Sequence, residues 1–167
     1  MRLTLHSDYA LRTLIFLGLR PQRLVSIAEI AKAYRISENH LTKVVHRLGQ
    51  AGFVETLRGR GGGLRLARPP EEIRIGDVVR ATEEDLALVT CFAPDGTPLP
   101  GVGCAISGAC RLQGALAEAL GAFMAVLDGR TLRDLLGPTA PVLRQRLGME
   151  GAPGDGSPEA LAEVPPA

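Results

Sequence analysis

The sequence predicts a mainly α-helical fold with one small β-hairpin and a long helix in its second half. Apolar residues recur at helical spacing in three successive segments before residue 52. The pattern then changes to two short strand-like segments on either side of a glycine run. A further segment, residues 110–127, keeps an apolar face over about five helical turns. These three observations fix the fold class.

The first two helices are predicted from their stripes and caps. Residues 7–20 carry the first, with Ser7 as the expected N-cap, Pro21 as the stop and an apolar stripe of Leu11, Leu14, Ile15, Gly18 and Leu19. The second begins at Ser26, because Ser26-Ile27-Ala28-Glu29 is a capping box. In that arrangement each of the two polar side chains satisfies the other residue's backbone N–H.

The third helix and the hairpin complete a recognisable order. The helix begins at Ser37, ends at Gly52 and places its apolar residues on one face: Leu41, Val44, Val45 and Leu48. Two strands follow, 53–58 and 64–67, with residues 59–63 as the glycine-rich tip, and a short helix is expected near 75–82. This order is that of a winged helix-turn-helix domain, which we assign to residues 1–83.

The second half divides into three parts. Residues 84–109 are rich in glycine and proline, which predicts a loop. The loop contains Cys91 and Cys104, and we therefore expect it to bind a metal cluster. Residues 110–137 contain the long helix, whose apolar face of Leu112, Leu116, Leu120, Phe123, Met124 and Leu127 is broader than a small winged helix needs, which predicts a homodimer. Residues 138–167 are predicted to be disordered, apart from a helical turn at 142–147.

Charge favours a polyanionic partner for the first half. Residues 1–68 carry 12 Lys or Arg against 4 Asp or Glu, whereas residues 69–167 carry 7 against 14. Balances of +8 and −7 therefore underlie the net charge of +1. A basic surface on a winged helix predicts binding to double-stranded DNA. A phosphate-binding loop is the rival use of the glycines, but no Gly-Lys-Ser/Thr run precedes a helix.

The expected DNA contacts follow from the faces of these elements. The N-terminal part of the third helix enters the major groove, so Asn39, His40 and Lys43 are expected to reach base edges. The hairpin brings arginines to the phosphate backbone or the minor groove. The predicted DNA-binding residues are Ser37, Asn39, His40, Lys43, Arg47, Arg58, Arg60 and Arg65. A dimer would read a roughly palindromic operator.

All three cysteines lie within twenty residues, with the spacing Cys91-x12-Cys104-x5-Cys110. No closely spaced pair typical of zinc sites is present, and wide spacing on a loop favours an iron–sulfur cluster. A cluster usually needs four ligands, and the candidates for the fourth are Asp8, His6, His40 and His46. Spacing alone does not select Asp8 as the ligand, because an acid in the first turn of a helix is explained by its favourable interaction with the helix dipole.

Other functions are weighed against this hypothesis. The three thiols could serve a metal-free, redox-sensing transcriptional regulator that works by disulfide exchange. The chain could also be an iron–sulfur regulator of iron or cluster homeostasis, or a cluster carrier or enzyme that kept the fold. No histidine follows His46, so a Cys–His catalytic pair is poorly supported and we expect no enzyme.

The N-terminal sequence and the hydropathy predict a cytoplasmic protein. No run of eighteen apolar residues is present, which argues against a membrane span. Asp8 and Arg12 interrupt the apolar stretch that a signal peptide would need. In the cytoplasm clustered thiols stay reduced, and they more often bind metal or sense redox state than form structural disulfides.

Several motifs together resemble one family of bacterial regulators. The chain resembles the Rrf-type winged-helix family in the motifs Ser7-Asp8-Tyr9-Ala10-Leu11-Arg12, Ser37-Glu38-Asn39-His40-Leu41-Thr42-Lys43-Val44-Val45, Ala51-Gly52-Phe53-Val54, Arg58-Gly59-Arg60-Gly61-Gly62-Gly63-Leu64-Arg65-Leu66-Ala67 and Ile75-Gly76-Asp77-Val78-Val79-Arg80. The resemblance spans about residues 1–137. Cys110-Arg111-Leu112 is similar, more narrowly, to the family's nitric-oxide-sensing repressors.

The resemblance implies a cofactor and a signal. It implies a homodimer with crossed long helices and a [2Fe-2S] or [4Fe-4S] cluster held by Cys91, Cys104 and Cys110, with Asp8 of the partner subunit as fourth ligand. It further implies repression of nitric-oxide detoxification genes, relieved by nitric oxide. Gln113 stands where the family's cluster-assembly regulator has a histidine, which argues against that branch. One departure is the gap of twelve residues between Cys91 and Cys104, where relatives usually have five.

Overall fold

The structure, a computed structural model, describes residues 2–99, 101 and 103–149. Its elements, in chain order, are α1 Leu5–Gly18, α2 Ile27–Tyr34, α3 Glu38–Gln50, β1 Val54–Leu57, β2 Gly63–Leu66, α4 Ile75–Thr82, α5 Arg111–Asp128, α6 Leu132–Leu136 and α7 Ala140–Arg146. Short 3-10 turns at Pro70–Glu72 and Gly137–Thr139 join them. None of the described helices is long and apolar enough to cross a bilayer.

The two strands form an antiparallel hairpin attached to the helical core. Val54 pairs with Leu66 and Leu57 with Gly63. An isolated bridge between Val25 and Leu64 extends the sheet towards α2. Gly63 lies so close to this bridge that an added Cβ would sit 3.0 Å from the Val25 carbonyl oxygen. The glycine at this position therefore lets the hairpin lie close against the chain before α2.

The main core lies between α1, α3, α4 and α6, and the hairpin covers one side of it. The α3 residues predicted to face inwards are buried, and so are α1 residues that the predicted stripe did not include: Ala10, Thr13, Phe16 and Leu17. A second, smaller core joins α4 to α5 through Val79, Leu120 and Met124. Of the apolar face predicted for α5, Leu120 and Met124 are buried in the single chain, whereas Leu112 is exposed.

The start of α1 differs from the prediction. Thr4, not Ser7, is the N-cap, and its hydroxyl accepts the Ser7 backbone N–H. Ser7 is fully buried instead, and its hydroxyl lies 2.8 Å from Thr82 Oγ1 and also donates to the Glu83 carboxylate. A buried hydroxyl needs such partners, and these lie 75 and 76 positions away in the chain, which no local pattern reveals.

The last turn of α4 is the junction between the other helices. Arg80 makes a bidentate ion pair with Asp128 at the end of α5, at 2.7 and 2.6 Å. The Ala81 carbonyl accepts a 2.6 Å hydrogen bond from Arg47 Nε of α3, and Thr82 meets Ser7 of α1. The hydrogen bonds from Arg80 hold the pKa of Asp128 below its usual range. One turn of helix therefore connects α1, α3 and α5.

Gly76→Ala is expected to weaken this junction. An added Cβ would overlap the Asp128 carboxylate, which must then move away from Arg80. We expect a lower free energy of unfolding for Gly76→Ala than for the control variant, measured by urea denaturation, because only Gly76→Ala disturbs the Arg80–Asp128 pair. Gly49→Ala on α3 is the control, since its added Cβ has only an ordinary 3.7 Å contact, and helix propensity predicts a gain of up to ~1 kcal/mol. Equal free energies of unfolding for the two variants would contradict a stabilising role of the junction between α4 and α5.

The chain after residue 137 is more ordered than predicted up to residue 149. The predicted turn at 142–147 is part of α7, whose Arg144 Nε donates to the Leu19 carbonyl at 3.3 Å. Met149 is buried, and its carbonyl accepts from Arg20. The prediction of disorder from residue 138 is therefore wrong for 138–149, because apolar Leu143, Leu147 and Met149 pack on the core. Residues 150–167 lie outside the described residues.

Candidate DNA-reading surface and cysteine segment

The predicted reading residues share the exposed face of α3. Its inward face is filled by four aliphatic side chains, so the polar residues between them are directed outwards. The exposed set includes Asn39, His40, Lys43 and Arg47, together with Ser37 immediately before the helix. A shallow, mostly apolar cleft of about 180 Å³ separates this face from α1 and is lined by Leu5, His6, Tyr9, His40, Lys43 and Val44. The reading face therefore borders the helix that carries Asp8.

Arg47 differs from the other residues of this face. It lies near the C-terminal end of α3, away from the end that would enter a groove. Its Nε donates to the Ala81 carbonyl, so part of its guanidinium is committed to α4. Arg47 therefore joins α3 to α4, and its contact with DNA remains a prediction.

The hairpin presents its arginines in two different states. Arg58 and Arg60 are exposed at the tip. Arg65, on β2, is paired across the strands with Glu55 at 2.8 Å, and this hydrogen bond raises the pKa of the arginine. Arg65 would therefore share its charge between Glu55 and any phosphate that it contacts.

Arg60→Ala is expected to weaken binding to all DNA sequences about equally. A phosphate contact carries no base information, so its loss should flatten the slope of log K against log salt by about one unit. The measurement is a salt titration of binding to operator and random DNA. Arg133→Ala is the matched control, because Arg133 lies on α6 and is paired with Glu71 at 3.1 Å. An unchanged slope for Arg60→Ala would contradict the assignment of the hairpin tip.

The three cysteines lie on one segment between α4 and α5, and none forms a disulfide. Cys104 is exposed, and Cys91 and Cys110 are partly buried. Cys110 is the N-cap residue of α5, where the helix dipole favours an anionic ligand. The Cys91 carbonyl accepts hydrogen bonds from Leu99 N at 2.8 Å and Gln113 Nε2 at 3.1 Å. The segment is therefore anchored to α5 at the first cysteine.

The single chain does not assemble a closed site for one metal ion. Within residues 2–99, 101 and 103–149, no three His, Cys, Asp or Glu side chains are grouped closely enough to hold an ion. Asp8 is on α1, where its Oδ1 pairs with Arg12 Nε at 2.9 Å and its side chain is 40% exposed. The donor types nevertheless fit an iron–sulfur cluster, since three thiols share a segment and an accessible carboxylate is available. His6, His40 and His46 are not gathered with the cysteines.

Comparison with known proteins decides the family. A family model described as Rrf2, iron-dependent transcriptional regulator, matches residues 3–138. The chain belongs to the Rrf2 family. The resemblance predicted from the sequence is therefore confirmed.

The chain matches its Rrf2 relatives over nearly the whole length of those proteins. The chain is 54% identical over 137 residues to the HTH-type transcriptional regulator NsrR of Bacillus subtilis (strain 168), which covers 81% of this chain and 90% of that protein. It is 51% identical over 152 residues to NsrR of Geobacillus kaustophilus (strain HTA426), covering 89% and 100%. The solved structure of T. potens IscR has a TM-score of 0.63 at 25% identity, covering 81% of this chain and 86% of that one. The predicted winged-helix fold is confirmed, and the chain is an Rrf2 transcriptional regulator.

Sequence reasoning missed three groups in this Rrf2 protein. The Arg80–Asp128 pair, the Ser7–Thr82 contact and the hydrogen bonds of Gln113 all join segments distant in the chain. The sequence singled out Gln113 only by its position three residues after Cys110, where the family's cluster-assembly regulator has a histidine. Its observed role is to bond the cysteine segment to α5.

Proposed function

We propose that this chain is a homodimeric repressor that carries an iron–sulfur cluster. The protein binds DNA while the cluster is intact and releases the DNA when nitric oxide damages the cluster. The observation that carries the proposal is the position of the cysteine segment. It leaves α4 just after the turn that contacts α1 and α3, and it enters α5 at Cys110. A change at the cysteines would therefore alter the positions of α1 and α3, the helices at the proposed DNA-reading surface.

The ligand set follows from donor chemistry and from the family. Cys91, Cys104 and Cys110 would hold the cluster as thiolates, and Asp8 of the partner subunit would be the fourth ligand. A bound cluster would supply iron atoms that react with nitric oxide. Asp8 would exchange its pairing with Arg12 for iron, which its accessible position allows. The description of the family as iron-dependent and the NsrR names of the relatives support this assignment.

The outer face of α5 supports the dimer. Residues 112, 115, 119, 122 and 126 are exposed and recur at alternating spacings of three and four, which is the spacing of a helix–helix seam. They are Leu112, Ala115, Ala119, Ala122 and Val126, all apolar, and the two largest are more than 60% exposed. Small residues between larger ones allow two such helices to approach closely. We place the second copy of the chain on this face.

Dimerisation would connect the cluster to the operator. A ligand shared between the loop of one subunit and α1 of the other would set the distance between the two recognition helices. Loss of that ligand would shift the two helices relative to each other, and a palindromic operator requires both to reach their half-sites. The junction at α4 would transmit this shift, because it bonds α5 to α3 through Arg80 and Ala81.

Anaerobic purification and operator selection test the proposal. We expect a brown protein with visible absorbance that enriches a palindromic sequence from random DNA and releases it after nitric oxide is added. A colourless, iron-free protein that binds DNA until its thiols are oxidised would instead establish the metal-free thiol regulator, which the exposure of Cys104 favours as a second candidate. A brown protein with a flat enrichment profile would overturn sequence-specific DNA binding and favour a cluster carrier.

A further inference from the structure

Residues 92–98, inside the long gap between the first two cysteines, close on themselves as a small hairpin. Phe92 and Pro98 form an antiparallel bridge. Inside it, Ala93 N donates to the Thr97 carbonyl and Gly96 N to the Ala93 carbonyl, both at 2.8 Å. Outside it, Leu99 N donates to the Cys91 carbonyl at 2.8 Å. The chain therefore leaves at Cys91 and returns to the same place at Leu99.

This hairpin is packed on the body of the protein. Phe92 is only 4% exposed, and the Pro94 carbonyl accepts the Leu86 N–H at 2.7 Å. Gly96 has a φ of +84°, and a Cβ there would lie 2.6 Å from Leu120 Cδ2 of α5. Only glycine combines this backbone conformation with so close an approach. The hairpin is thus an ordered unit with a defined position against α5 and Leu86.

Gln113 of α5 bonds both ends of the hairpin at once. Its Nε2 lies 3.1 Å from the Cys91 carbonyl oxygen and 3.3 Å from that of Leu99. One amide group therefore holds together the two points where the hairpin leaves and rejoins the chain. Gln113 also lies one helical turn from Cys110, so the same turn of α5 positions the first and the third cysteine.

The closure changes the effective spacing of the cysteines. Cys91 and Cys104 are separated by twelve residues, but seven of these belong to the closed hairpin. The other five, residues 99–103, lead from the end of the hairpin to Cys104, and five residues also separate Cys104 from Cys110. The two gaps of this chain thereby become equal.

We propose that residues 92–98 are a self-closed insertion and that Gln113 is a positioning residue that fixes its base. Together they present Cys91 and Cys104 to the cluster as if five residues apart. The inference rests on the proposed cluster, whereas the closure itself rests on backbone and side-chain hydrogen bonds within the chain. A twelve-residue loop without this closure would have to lose more conformational entropy when its ends meet on a cluster.

Three full-length variants test the proposal: deletion of 92–98, Gln113→Ala, and the two combined. The deletion is expected to keep the wild-type iron and sulfide content and its rate of cluster loss to a chelator. Gln113→Ala alone should lose its cluster about five- to tenfold faster, the effect of one hydrogen-bonding group. The combined variant should behave like the deletion, since no hairpin base is left to fix. Gln145→Ala, an exposed glutamine of α7, is the matched control.

Hydrogen exchange of the Leu99 amide in iron-free protein supplies a readout independent of the cluster. The amide should be protected in wild type and exchange about five- to tenfold faster in Gln113→Ala. An unprotected Leu99 amide in wild type would overturn the closure even if the protein holds a cluster. A protected amide in a chain that never binds iron would overturn the proposed cluster, while the closure of the hairpin would be supported. A deletion variant without iron, or a combined variant as poor as Gln113→Ala alone, would overturn the positioning role.

Discussion

Cys104→Ser is expected to abolish cluster binding while leaving the fold intact. Cys104 is the most exposed of the three thiols, so its packing contributes little and the free energy of unfolding of the iron-free chain should change by less than about 0.5 kcal/mol. A serine hydroxyl is a poor ligand for iron, and removal of a direct ligand should weaken cluster binding by more than the ~100-fold found for supporting residues. Iron and sulfide content after anaerobic reconstitution measure the effect.

The matched control for this variant is Ala105→Ser. It places the same hydroxyl at the neighbouring exposed position and removes no thiol. It should retain the cluster and the response to nitric oxide. If Cys104→Ser kept full iron content and still released DNA after nitric oxide, Cys104 would not be a ligand and the proposed site would be wrong.

Val126→Glu is expected to dissociate the dimer and, with it, the complex with operator DNA. Val126 is 64% exposed in the single chain and lies on the outer face of α5. A dimer would bring two unpaired carboxylates into an apolar seam, where uncompensated charge is strongly destabilising. A monomer reads one half-site, so we expect operator affinity to fall by at least about 100-fold. Analytical ultracentrifugation and DNA-binding titrations measure the two effects.

Val142→Glu is the control for the dimer prediction. Val142 is an exposed valine of α7, 51% accessible, outside the proposed seam. The same change of charge there should leave both the dimer and operator affinity within about threefold of wild type, as for an ordinary surface substitution. A Val126→Glu protein that stayed dimeric would place the interface elsewhere, and equal losses in both variants would indicate an effect of net charge alone.

The fold could be predicted where local pattern and tertiary structure agree. The capping box of Ser26 and Glu29 forms as predicted, because both partners lie within one turn. The stripe on α3 is buried as predicted, and α4 has the predicted bounds. Ser7 was misassigned because Thr4 and Ser7 are both acceptable N-caps, and a buried contact with Thr82 decides between them. Residues 138–149 were misassigned because a single predicted helical turn in a segment rich in proline and glycine does not reveal that its apolar side chains pack on the core.

The site could be predicted in its residue types but not in its connections. Spacing predicts the three cysteines as cluster ligands, and an outward basic face predicts Asn39, His40 and Lys43 as DNA contacts; the structure places these three α3 residues on the exposed face of the helix, and their roles stay predictions. The long gap between Cys91 and Cys104 was the feature that sequence reasoning could not explain. Its explanation depends on backbone hydrogen bonds between residues 91 and 99 and on Gln113, and composition rich in proline and glycine predicts only an irregular loop.

The central claim is that a dimer of this chain carries iron–sulfur clusters that nitric oxide destroys. Native mass spectrometry of anaerobically prepared protein tests it most directly, because one spectrum reports subunit number and cluster mass together. The account predicts a dimer whose mass exceeds that of two chains by two iron–sulfur clusters, and the loss of that mass, with nitrosylated or iron-free species, after nitric oxide is added. A dimer without bound iron and sulfide, or one whose clusters survive excess nitric oxide unchanged, would contradict it.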